Sequence, residues 1–424
     1  MSDRPVASLI VTHLDELLTV AGPGPRRGPG QRDVESIPDG AVAGGGERIV
    51  AVGSTGDVLR RVAPAPDAVV VDGRGRALVP GFVDPHTHVV YAGDRRPELR
   101  RRLAGDSYAA IAAAGGGILG TVRATRAASE GDLASATAVR LAEMLAGGTT
   151  TAEAKSGYGL DTASELRMLR VIRALHAEQP IDLVSTFMGA HEVPPEYRGR
   201  QADFVRLVID EMTPQAAPLA EWCDVFCDRG FFTVDESRAL LEAGRRAGLK
   251  LRLHADELAA SGGAELAAEM GVRSADHLVQ VTPAGIAALE AAGVVATLLP
   301  CAAFYLKLGR FAPARDLVAA GVPVALATDV NPGGGFSPSP TTAMSIACFA
   351  MGLTFEEALV GATLNAAYAL DRHDTVGSLE VGKLFDAVLV DAPAINLIRL
   401  GAPGIRAVFK RGRQVIGDPI KSNT

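Results

Sequence analysis

The segment Pro80-Gly-Phe-Val-Asp-Pro-His-Thr-His88 ends a short apolar run with two histidines that are separated by one residue. Side chains two positions apart on an extended strand point to the same side, so both imidazoles can face one cation. A His-x-His pair alone is weak evidence, because two histidines on an exposed strand produce the same pattern. The pair gains weight from the rest of the chain, in which further histidines follow similar apolar runs.

Eight such apolar runs recur along the centre of the sequence, and most are separated by Ala-rich amphipathic segments of helical length. Strands that alternate with helices predict a parallel sheet, and eight of them favour a (β/α)8 barrel of the TIM type; a doubly wound sheet is the alternative. The runs are residues 77–83, 149–154, 181–188, 223–226, 250–254, 274–278, 294–299 and 322–328. The amphipathic segments include residues 132–146, 162–176, 233–247, 259–270 and 282–292.

Both ends of the chain have a different pattern, with short strand-like runs between stretches rich in Gly and Pro. Examples are residues 8–11, 49–52, 68–71, 386–391 and 407–409. Their length and period are typical of a small β-sheet structure rather than of helices. We therefore predict a small β-sandwich domain formed by residues 1–76 and 377–424, and a metal-dependent catalytic barrel formed by residues 77–376.

The composition is that of a globular protein, with 424 residues, 48% of them hydrophobic, and a formal net charge of −7. A mildly acidic chain argues against a nucleic-acid partner, because such binding depends on clustered Lys and Arg. The longest near-continuous apolar run, 294–306, is shorter than the ~20 residues that span a membrane. A polar N-terminal stretch predicts no signal peptide, and four scattered cysteines predict no disulfide framework, so we expect a cytoplasmic protein.

Five of the eight histidines follow the predicted strands at their C-terminal ends, where barrels build their active sites. These are His86, His88, His191, His254 and His277. Packing alone does not easily explain such convergence. His86, His88 and His254, with Asp329 at the end of the last strand, form a set of nitrogen and oxygen ligands suited to zinc or iron. The sequence therefore predicts a metal site and leaves the choice between these two metals open.

The first histidine segment, together with His254, His277 and Asp329, resembles the signature of the amidohydrolase superfamily. Within that superfamily the chain is similar to the imidazolonepropionase family, which acts in histidine degradation. The supporting segments are Tyr91-Ala-Gly-Asp-Arg95, Gly115-Gly-Gly-Ile118, Thr121-Val-Arg-Ala-Thr-Arg126, Lys155-Ser-Gly-Tyr-Gly-Leu160, Gly189-Ala-His-Glu-Val-Pro194, His254-Ala-Asp-Glu257 and Thr328-Asp-Val-Asn-Pro-Gly333. The flanking β segments fit the family's small second domain, and the resemblance also suggests a homodimer.

This resemblance implies hydrolysis of the cyclic amide C–N bond of 4-imidazolone-5-propanoate to N-formimidoyl-L-glutamate, with one zinc or iron ion per chain. The chemistry of the residues agrees, because a metal lowers the pKa of a bound water towards ~7 and polarises a carbonyl. Another activity of the superfamily, such as purine or pyrimidine deamination, is the alternative. A catalytically inactive barrel that serves as a binding protein would be expected to have lost a ligand, and none is missing from the sequence.

Three residues are candidates for proton transfer. Asp329 is placed to ligate the metal and to accept the proton of the water, which it later returns to the leaving nitrogen; a helix N-cap is its alternative role. His277 orients the water or donates to the oxyanion, unless it is a buried histidine bonded to Asp276 or to backbone. The resemblance implies that Glu257 contacts the ring and relays a proton; taken alone, Glu257 is typical of the first turn of a helix.

The resemblance also implies the substrate contacts, which are Arg95, Tyr158, His191, Glu257, Asn331, Gly333 and Gly334. Arg95 suits the propanoate tail, because a guanidinium binds a carboxylate in a bidentate manner. The adjacent Arg96, or a solvated Asp94-Arg95-Arg96 turn, is the alternative. Gly334 departs from the family, which commonly has a hydroxyl residue there, so only a backbone contact remains at this position.

Lys155 raises the question of a second metal, because binuclear relatives bridge two ions with a carbamylated lysine. By strand count Lys155 ends strand two, whereas the bridging lysine belongs to strand four. Strand four, Cys223-Asp-Val-Phe-Cys-Asp228, contains no lysine, and its two cysteines have no nearby histidine with which to form a zinc knuckle. We therefore predict a mononuclear site.

Overall fold

The computed structural model describes residues 4–106, 110–111, 114–402 and 404–418. Its N-terminal part is built mainly of strands, as the short apolar runs predict. They are β1 (Val6–Leu14), β2 (Glu16–Leu18), β3 (Ser36–Ile37), β4 (Gly40–Gly45), β5 (Arg48–Ser54), β6 (Ala63–Asp72) and β7 (Arg76–Pro80). One short helix, α1 (Thr55–Arg61), lies between β5 and β6, and a 3-10 turn (Gly28–Arg32) precedes β3.

The centre of the chain forms an eight-stranded sheet of parallel strands whose order follows the sequence. These strands are β8 (Phe82–Asp84), β9 (Thr149–Lys155), β10 (Asp182–Ala190), β11 (Trp222–Cys227), β12 (Lys250–Ala255), β13 (Ser274–His277), β14 (Val295–Leu298) and β15 (Val324–Leu326). Nearly all of their residues are buried, as in a parallel sheet with both faces covered. The prediction of a (β/α)8 barrel is confirmed, and the doubly wound alternative is wrong, because that topology requires a reversal of strand order.

Helices connect and surround these strands. They are α2 (Arg96–Leu103), α3 (Ile118–Ala127), α4 (Glu130–Ala146), α5 (Thr162–Glu178), α6 (Gln201–Leu207), α7 (Thr213–Ala216), α8 (Val234–Arg246), α9 (Gly263–Met270), α10 (Pro283–Ala292), α11 (Pro300–Tyr305), α12 (Ala314–Ala320), α13 (Pro340–Met351), α14 (Phe355–Gly361) and α15 (Leu364–Ala369). Two 3-10 turns (Pro195–Tyr197 and Ala394–Ile398) and one π-helical turn (Val208–Met212) complete this part.

Backbone hydrogen bonds close the barrel between the segments that follow its first and last strands. The amide of His88 donates to the carbonyl of Val330 at 2.9 Å, and the amide of Asp329 donates to the carbonyl of His86 at 3.1 Å. The seam of the barrel therefore runs through the predicted metal ligands, so that closure of the fold fixes their relative positions.

The two ends of the chain meet in a pair of sheets beside the barrel. Strands β16 (Ala387–Asp391), β17 (Ile405–Lys410) and β18 (Arg413–Ile416) join β7, β2 and β3 in a six-stranded sheet, and β5, β4, β1 and β6 form a four-stranded one. A separate apolar cluster, which includes Leu9, Val42, Phe385 and Phe409, packs between them. This confirms a small β structure formed by both termini, while the domain boundaries at 76/77 and 376/377 stay predictions.

The apolar run 77–83 is two strands in different sheets, and its prediction as a single barrel strand is wrong. Strand β7 pairs antiparallel with β16 in the six-stranded sheet, whereas β8 pairs with β9 in the barrel. Gly81 separates them, at a point where a β-carbon would lie 2.5 Å from the side chain of Thr150. Because the backbone at Gly81 lies so close to Thr150, the chain can pass from one sheet to the other here only at a residue without a side chain.

The helix predicted at 259–270 begins later, at Gly263. The carboxylate of Asp256 accepts hydrogen bonds from the backbone amides of Ser261, Gly263 and Ala264 at 2.7–3.1 Å. These bonds hold residues 257–262 as a loop, and Gly262 has a φ of +82°. The loop carries Glu257 above the barrel.

Within the described ranges, no helix is long and apolar enough to cross a membrane. The four cysteines are free thiols, three of them buried, which agrees with the expectation of no disulfide framework.

Candidate active site

The predicted metal ligands come together at the C-terminal end of the barrel. His86 and His88 follow β8, His254 lies in β12 and Asp329 follows β15. His88 Nε2 lies 3.3 Å from His254 Nε2, and Asp329 Oδ1 lies 3.7 Å from Nε2 of both His86 and His88. All four side chains are buried, so these nitrogen and oxygen atoms face one another in a space shielded from solvent.

A buried carboxylate orients His86. Its Nδ1 lies 2.6 Å from Asp276 Oδ2, and Asp276 is held in turn by Arg252 and by the hydroxyl of Ser274. A carboxylate at Nδ1 favours the tautomer in which Nε2 carries the lone pair. The alternative in which Asp276 binds His277 is wrong, because this carboxylate faces His86.

A second buried carboxylate orients His254 in the same manner. Asp224 Oδ2 lies 3.0 Å from His254 Nδ1 and accepts a hydrogen bond from Lys155 Nζ at 2.7 Å. Lys155 also donates to Glu153 Oε1 at 2.7 Å. Burial lowers the pKa of Lys155, but the carboxylates of Asp224 and Glu153 outweigh this and hold that pKa above its ordinary value. Because carbamylation requires a neutral amine, this ion-paired ammonium supports the mononuclear prediction.

Asp329 occupies a left-handed backbone position, with a φ of +52°. Such a conformation is uncommon for residues other than glycine and recurs at functional sites. Its carbonyl accepts a hydrogen bond from Asn331 Nδ2 at 2.8 Å. No helix follows this turn until α13 begins at Pro340, so the alternative role of Asp329 as a helix N-cap is wrong.

The electrostatics of this cluster favour a bound cation. Burial lowers the pKa of His86 and His88 well below the ordinary value, so these imidazoles are neutral and have lone pairs to offer. Burial also raises the pKa of Asp329 to about 8. His86 Nε2 and Asp329 Oδ1 are both buried, and neither has a hydrogen-bond partner in the part of the chain that the structure describes. Unpaired buried polar atoms are costly, and a zinc or iron ion would satisfy both atoms, so the donor set fits the predicted metal.

His277 and Glu257 lie beside the cluster. His277 has a φ of +76°, and its ring centroid is 5.3 Å from that of His86. Glu257 Oε1 lies 3.6 Å from His277 Nδ1. Burial, reinforced by the charges of Asp329 and Asp228, raises the pKa of Glu257 well above its ordinary value. Glu257 lies in the loop before α9, so its alternative role in a helical first turn is wrong.

A cavity of about 90 Å³ that opens to solvent leads to these residues. Its walls include Arg95, Tyr158, His191, Leu306 and Asn331, together with His88, His254 and Asp329 of the cluster. Arg95 is 7% exposed and lines the cavity, whereas the side chain of Arg96 is 78% exposed and pairs with Asp94. Of the two adjacent arginines, only Arg95 can therefore meet a ligand in this cavity.

His191 and Tyr158 form one wall of the cavity. The ring of His191 stacks on that of His88 with centroids 4.9 Å apart, and Tyr158 lies 5.2 Å from His191. His191 Nδ1 donates to the carbonyl of Gly157 at 2.9 Å, which leaves Nε2 as an acceptor. Burial lowers the pKa of His191 to about 3, so this side chain is a neutral, fixed hydrogen-bonding group.

In the turn after Asp329, polar groups form hydrogen bonds with one another. Asn331 Oδ1 accepts hydrogen bonds from the amides of Gly333 and Gly334, at 2.8 and 2.6 Å. A β-carbon at Gly335 would lie 1.6 Å from the carbonyl oxygen of Asp329, so only glycine fits there. Contacts of Asn331, Gly333 and Gly334 with a ligand stay predictions, and the two glycine amides would have to share their hydrogen bonds with Asn331.

The buried groups behind the predicted ligands have no role assigned from the sequence. Arg252, Asp224 and Glu153 each lie inside a strand of the barrel, and each bonds to a residue 24 to 66 positions away: Asp276, His254 and Thr87. Asp84 likewise receives hydrogen bonds from the amide and hydroxyl of Thr328, 244 residues away. One available signal was the presence of charged residues at inward positions of otherwise apolar strands, because buried charges need partners.

Comparison with known proteins assigns the class. A model of the amidohydrolase family matches residues 77–415, and the chain belongs to this family. A solved adenosine deaminase from Xanthomonas campestris with bound zinc has the same fold, with a TM-score of 0.71 at 21% identity, over 99% of this chain and 95% of that one. The zinc complex of atrazine chlorohydrolase from Arthrobacter aurescens has a TM-score of 0.65 at 18% identity, over 96% and 95%.

Relatives of higher sequence identity align with this chain over almost its whole length. An imidazolonepropionase from Symbiobacterium thermophilum is 48% identical, over 98% of each chain. Another from Alkaliphilus metalliredigens is 46% identical, over 97% of this chain and 98% of the relative. The resemblance to imidazolonepropionases is thereby confirmed along the full length, including both small sheets.

Proposed function

We propose that this protein hydrolyses 4-imidazolone-5-propanoate to N-formimidoyl-L-glutamate in histidine degradation. The observation that carries the proposal is the combination, in one cavity, of a buried imidazole–carboxylate cluster and a single buried arginine. The cluster suits the cyclic amide, and Arg95 suits the carboxylate at the other end of the molecule. Near-full-length similarity to imidazolonepropionases supports the same activity.

His86, His88, His254 and Asp329 would hold one zinc or iron ion. When bound, such an ion lowers the pKa of a water towards ~7 and polarises a carbonyl. Asp276 and Asp224 fix the imidazoles of His86 and His254 through their Nδ1 atoms, so that Nε2 of each faces the cluster. The protein thus supplies a rigid ligand set before any substrate arrives.

The ring-opening step adds water to the ring carbonyl carbon and breaks its bond to the adjacent nitrogen. We assign to Asp329 the proton that the water loses and the return of this proton to the leaving nitrogen. His277 lines the same cavity as Asp329 and stabilises the developing oxyanion. Glu257, which burial keeps protonated to a higher pH than an ordinary carboxyl, contacts the ring and exchanges a proton with it.

Residues of the cavity wall position the substrate. Arg95 binds the propanoate carboxylate, and Tyr158 and His191 offer a hydroxyl and an imidazole nitrogen to the ring and tail. Asn331, Gly333 and Gly334 shape the floor beneath them. A homodimer in the cytoplasm is the further expectation that accompanies this assignment.

The test is hydrolysis of 4-imidazolone-5-propanoate by purified protein of known metal content, followed by loss of ring absorbance in the ultraviolet. Chelator-treated protein is the control. Metal-dependent formation of formimidoylglutamate would support the reaction, the substrate and the need for a metal together. Turnover of guanine or cytosine without turnover of imidazolonepropanoate would instead favour the deaminase alternative.

A further inference from the structure

We propose that Glu98 is a positioning residue that fixes the guanidinium of Arg95 in the orientation needed to bind the substrate carboxylate. The inference rests on the proposed function and adds to it the residue that determines how the tail is held. Both side chains lie at the N-terminal end of helix α2, where Arg95 directly precedes the helix and Glu98 lies in its first turn.

The contact between the two side chains is close and shielded. Glu98 Oε2 lies 2.9 Å from both Nε and Nη2 of Arg95, and the side chains are 13% and 7% exposed. Among the residues that the structure describes, only Glu98 forms a hydrogen bond or ion pair with the guanidinium of Arg95, through Nε and Nη2, and Nη1 forms none. Glu98 therefore occupies one edge of the guanidinium and leaves another for a ligand, as a bidentate carboxylate requires.

Glu98 is itself anchored to the cavity wall. Its second oxygen, Oε1, accepts a hydrogen bond from the amide of Gly117 at 3.0 Å, immediately before Ile118, which lines the cavity. Gly333 packs against the other side of Arg95, because a β-carbon there would lie 2.2 Å from the guanidinium carbon. The guanidinium is thus held from both sides, by helix α2 through Glu98 and by the turn after Asp329 through Gly333.

Glu98 could either compete with the substrate for Arg95 or position Arg95, and these two roles predict opposite changes in substrate affinity when its carboxylate is removed. If Glu98 merely competes with the substrate for Arg95, its loss raises the local positive charge and tightens binding of a carboxylate. If Glu98 sets the direction of the guanidinium, its loss frees the side chain to rotate and weakens binding. The sign of the change therefore decides between the two roles.

The experiment compares Glu98→Gln, which removes the charge, and Glu98→Asp, which keeps the charge but withdraws the carboxylate, with the parent enzyme. Asp94→Asn is the matched control, because Asp94 forms an arginine pair with Arg96 that faces solvent. Positioning predicts a KM for imidazolonepropanoate at least about 10-fold higher in both Glu98 variants, since hydrogen bonds to charged groups are involved. We expect kcat to change by less than about twofold and Asp94→Asn to match the parent.

Calorimetric binding measurements distinguish an effect on the carboxylate tail of the ligand from an effect on its ring. Both Glu98 variants should bind imidazole-4-propanoate more weakly by the same factor, while binding of 4-propylimidazole, which lacks the carboxylate, stays unchanged. An unchanged or lower KM in either folded variant would overturn the role of Glu98 and leave the proposed function intact. Failure of the parent enzyme to hydrolyse imidazolonepropanoate would overturn both proposals.

Discussion

Replacement of Gly333 by alanine tests whether the exact position of Arg95 matters for substrate binding. The new β-carbon would lie 2.2 Å from the guanidinium carbon and from Nη1. Carbon atoms pack at ~3.5 Å or more, so the guanidinium must retreat by about 1.3 Å. A shift of this size breaks the bond to a substrate carboxylate, which is worth about 1.5–3 kcal/mol for a charged partner.

This loss corresponds to a decrease of roughly 10- to 150-fold in kcat/KM, expressed mainly in KM. The backbone of Gly333 is not in the left-handed region, so alanine introduces no backbone strain there. Gly334→Ala is the matched comparison, because alanine keeps the backbone amide, which is the only contact predicted for this position, and its β-carbon would meet only the flexible side chain of Leu306, at 3.3–3.4 Å. We expect its kcat/KM to stay within about threefold of the parent value.

The assay is steady-state hydrolysis of imidazolonepropanoate, with circular dichroism and thermal unfolding as checks on the fold. A folded Gly333→Ala protein with the parent KM would refute the reasoning, since the guanidinium cannot keep its position beside the added methyl group. An equal loss in Gly334→Ala would show that the whole turn, rather than Arg95, is responsible.

Three further outcomes are expected. Asp329→Asn should abolish turnover and leave circular dichroism unchanged; near-normal rates would remove Asp329 as the proton carrier. Metal analysis should find about one ion per chain, as a site with an ion-paired Lys155 requires, and two tightly bound ions would overturn the mononuclear assignment. Burial raises the pKa of Glu192 to about 7, so the folded state holds a proton that the unfolded state releases above its ordinary pKa of 4.5. Parent stability should therefore fall relative to Glu192→Gln between these pH values in thermal unfolding, and parallel curves would contradict this.

Much of the fold followed from the sequence because its determinants are local. The apolar runs and amphipathic segments have the periods of strands and helices, and their alternation fixes a parallel barrel. The prediction failed at Gly81, where a single apolar run changes sheets. Hydrophobicity does not distinguish two buried strands from one, and only the close approach of Thr150 requires the break.

In the candidate site, too, some features have local determinants in the sequence and others do not. The convergence of the predicted ligands followed from the sequence because each lies near the C-terminal end of a strand, and strand ends converge in a barrel. The roles of the buried groups behind them did not follow, because Asp276 and Asp224 reach their histidines across 190 and 30 residues of sequence. Asn331 is an intermediate case: the resemblance implied a substrate contact, whereas its side chain also bonds to the amides of Gly333 and Gly334, as Asn commonly does in turns.

The seam of the barrel has a consequence for how such an enzyme can change. The amides and carbonyls of His86, His88, Asp329 and Val330 join the first and last strands, so any shift in the reaction centre would also open the cylinder. Arg95 and Glu98 lie outside that seam, on a loop and helix that can be rebuilt without loss of closure. Closure of the barrel therefore constrains the predicted ligands His86, His88 and Asp329, whereas the predicted carboxylate contact lies on elements that closure does not involve.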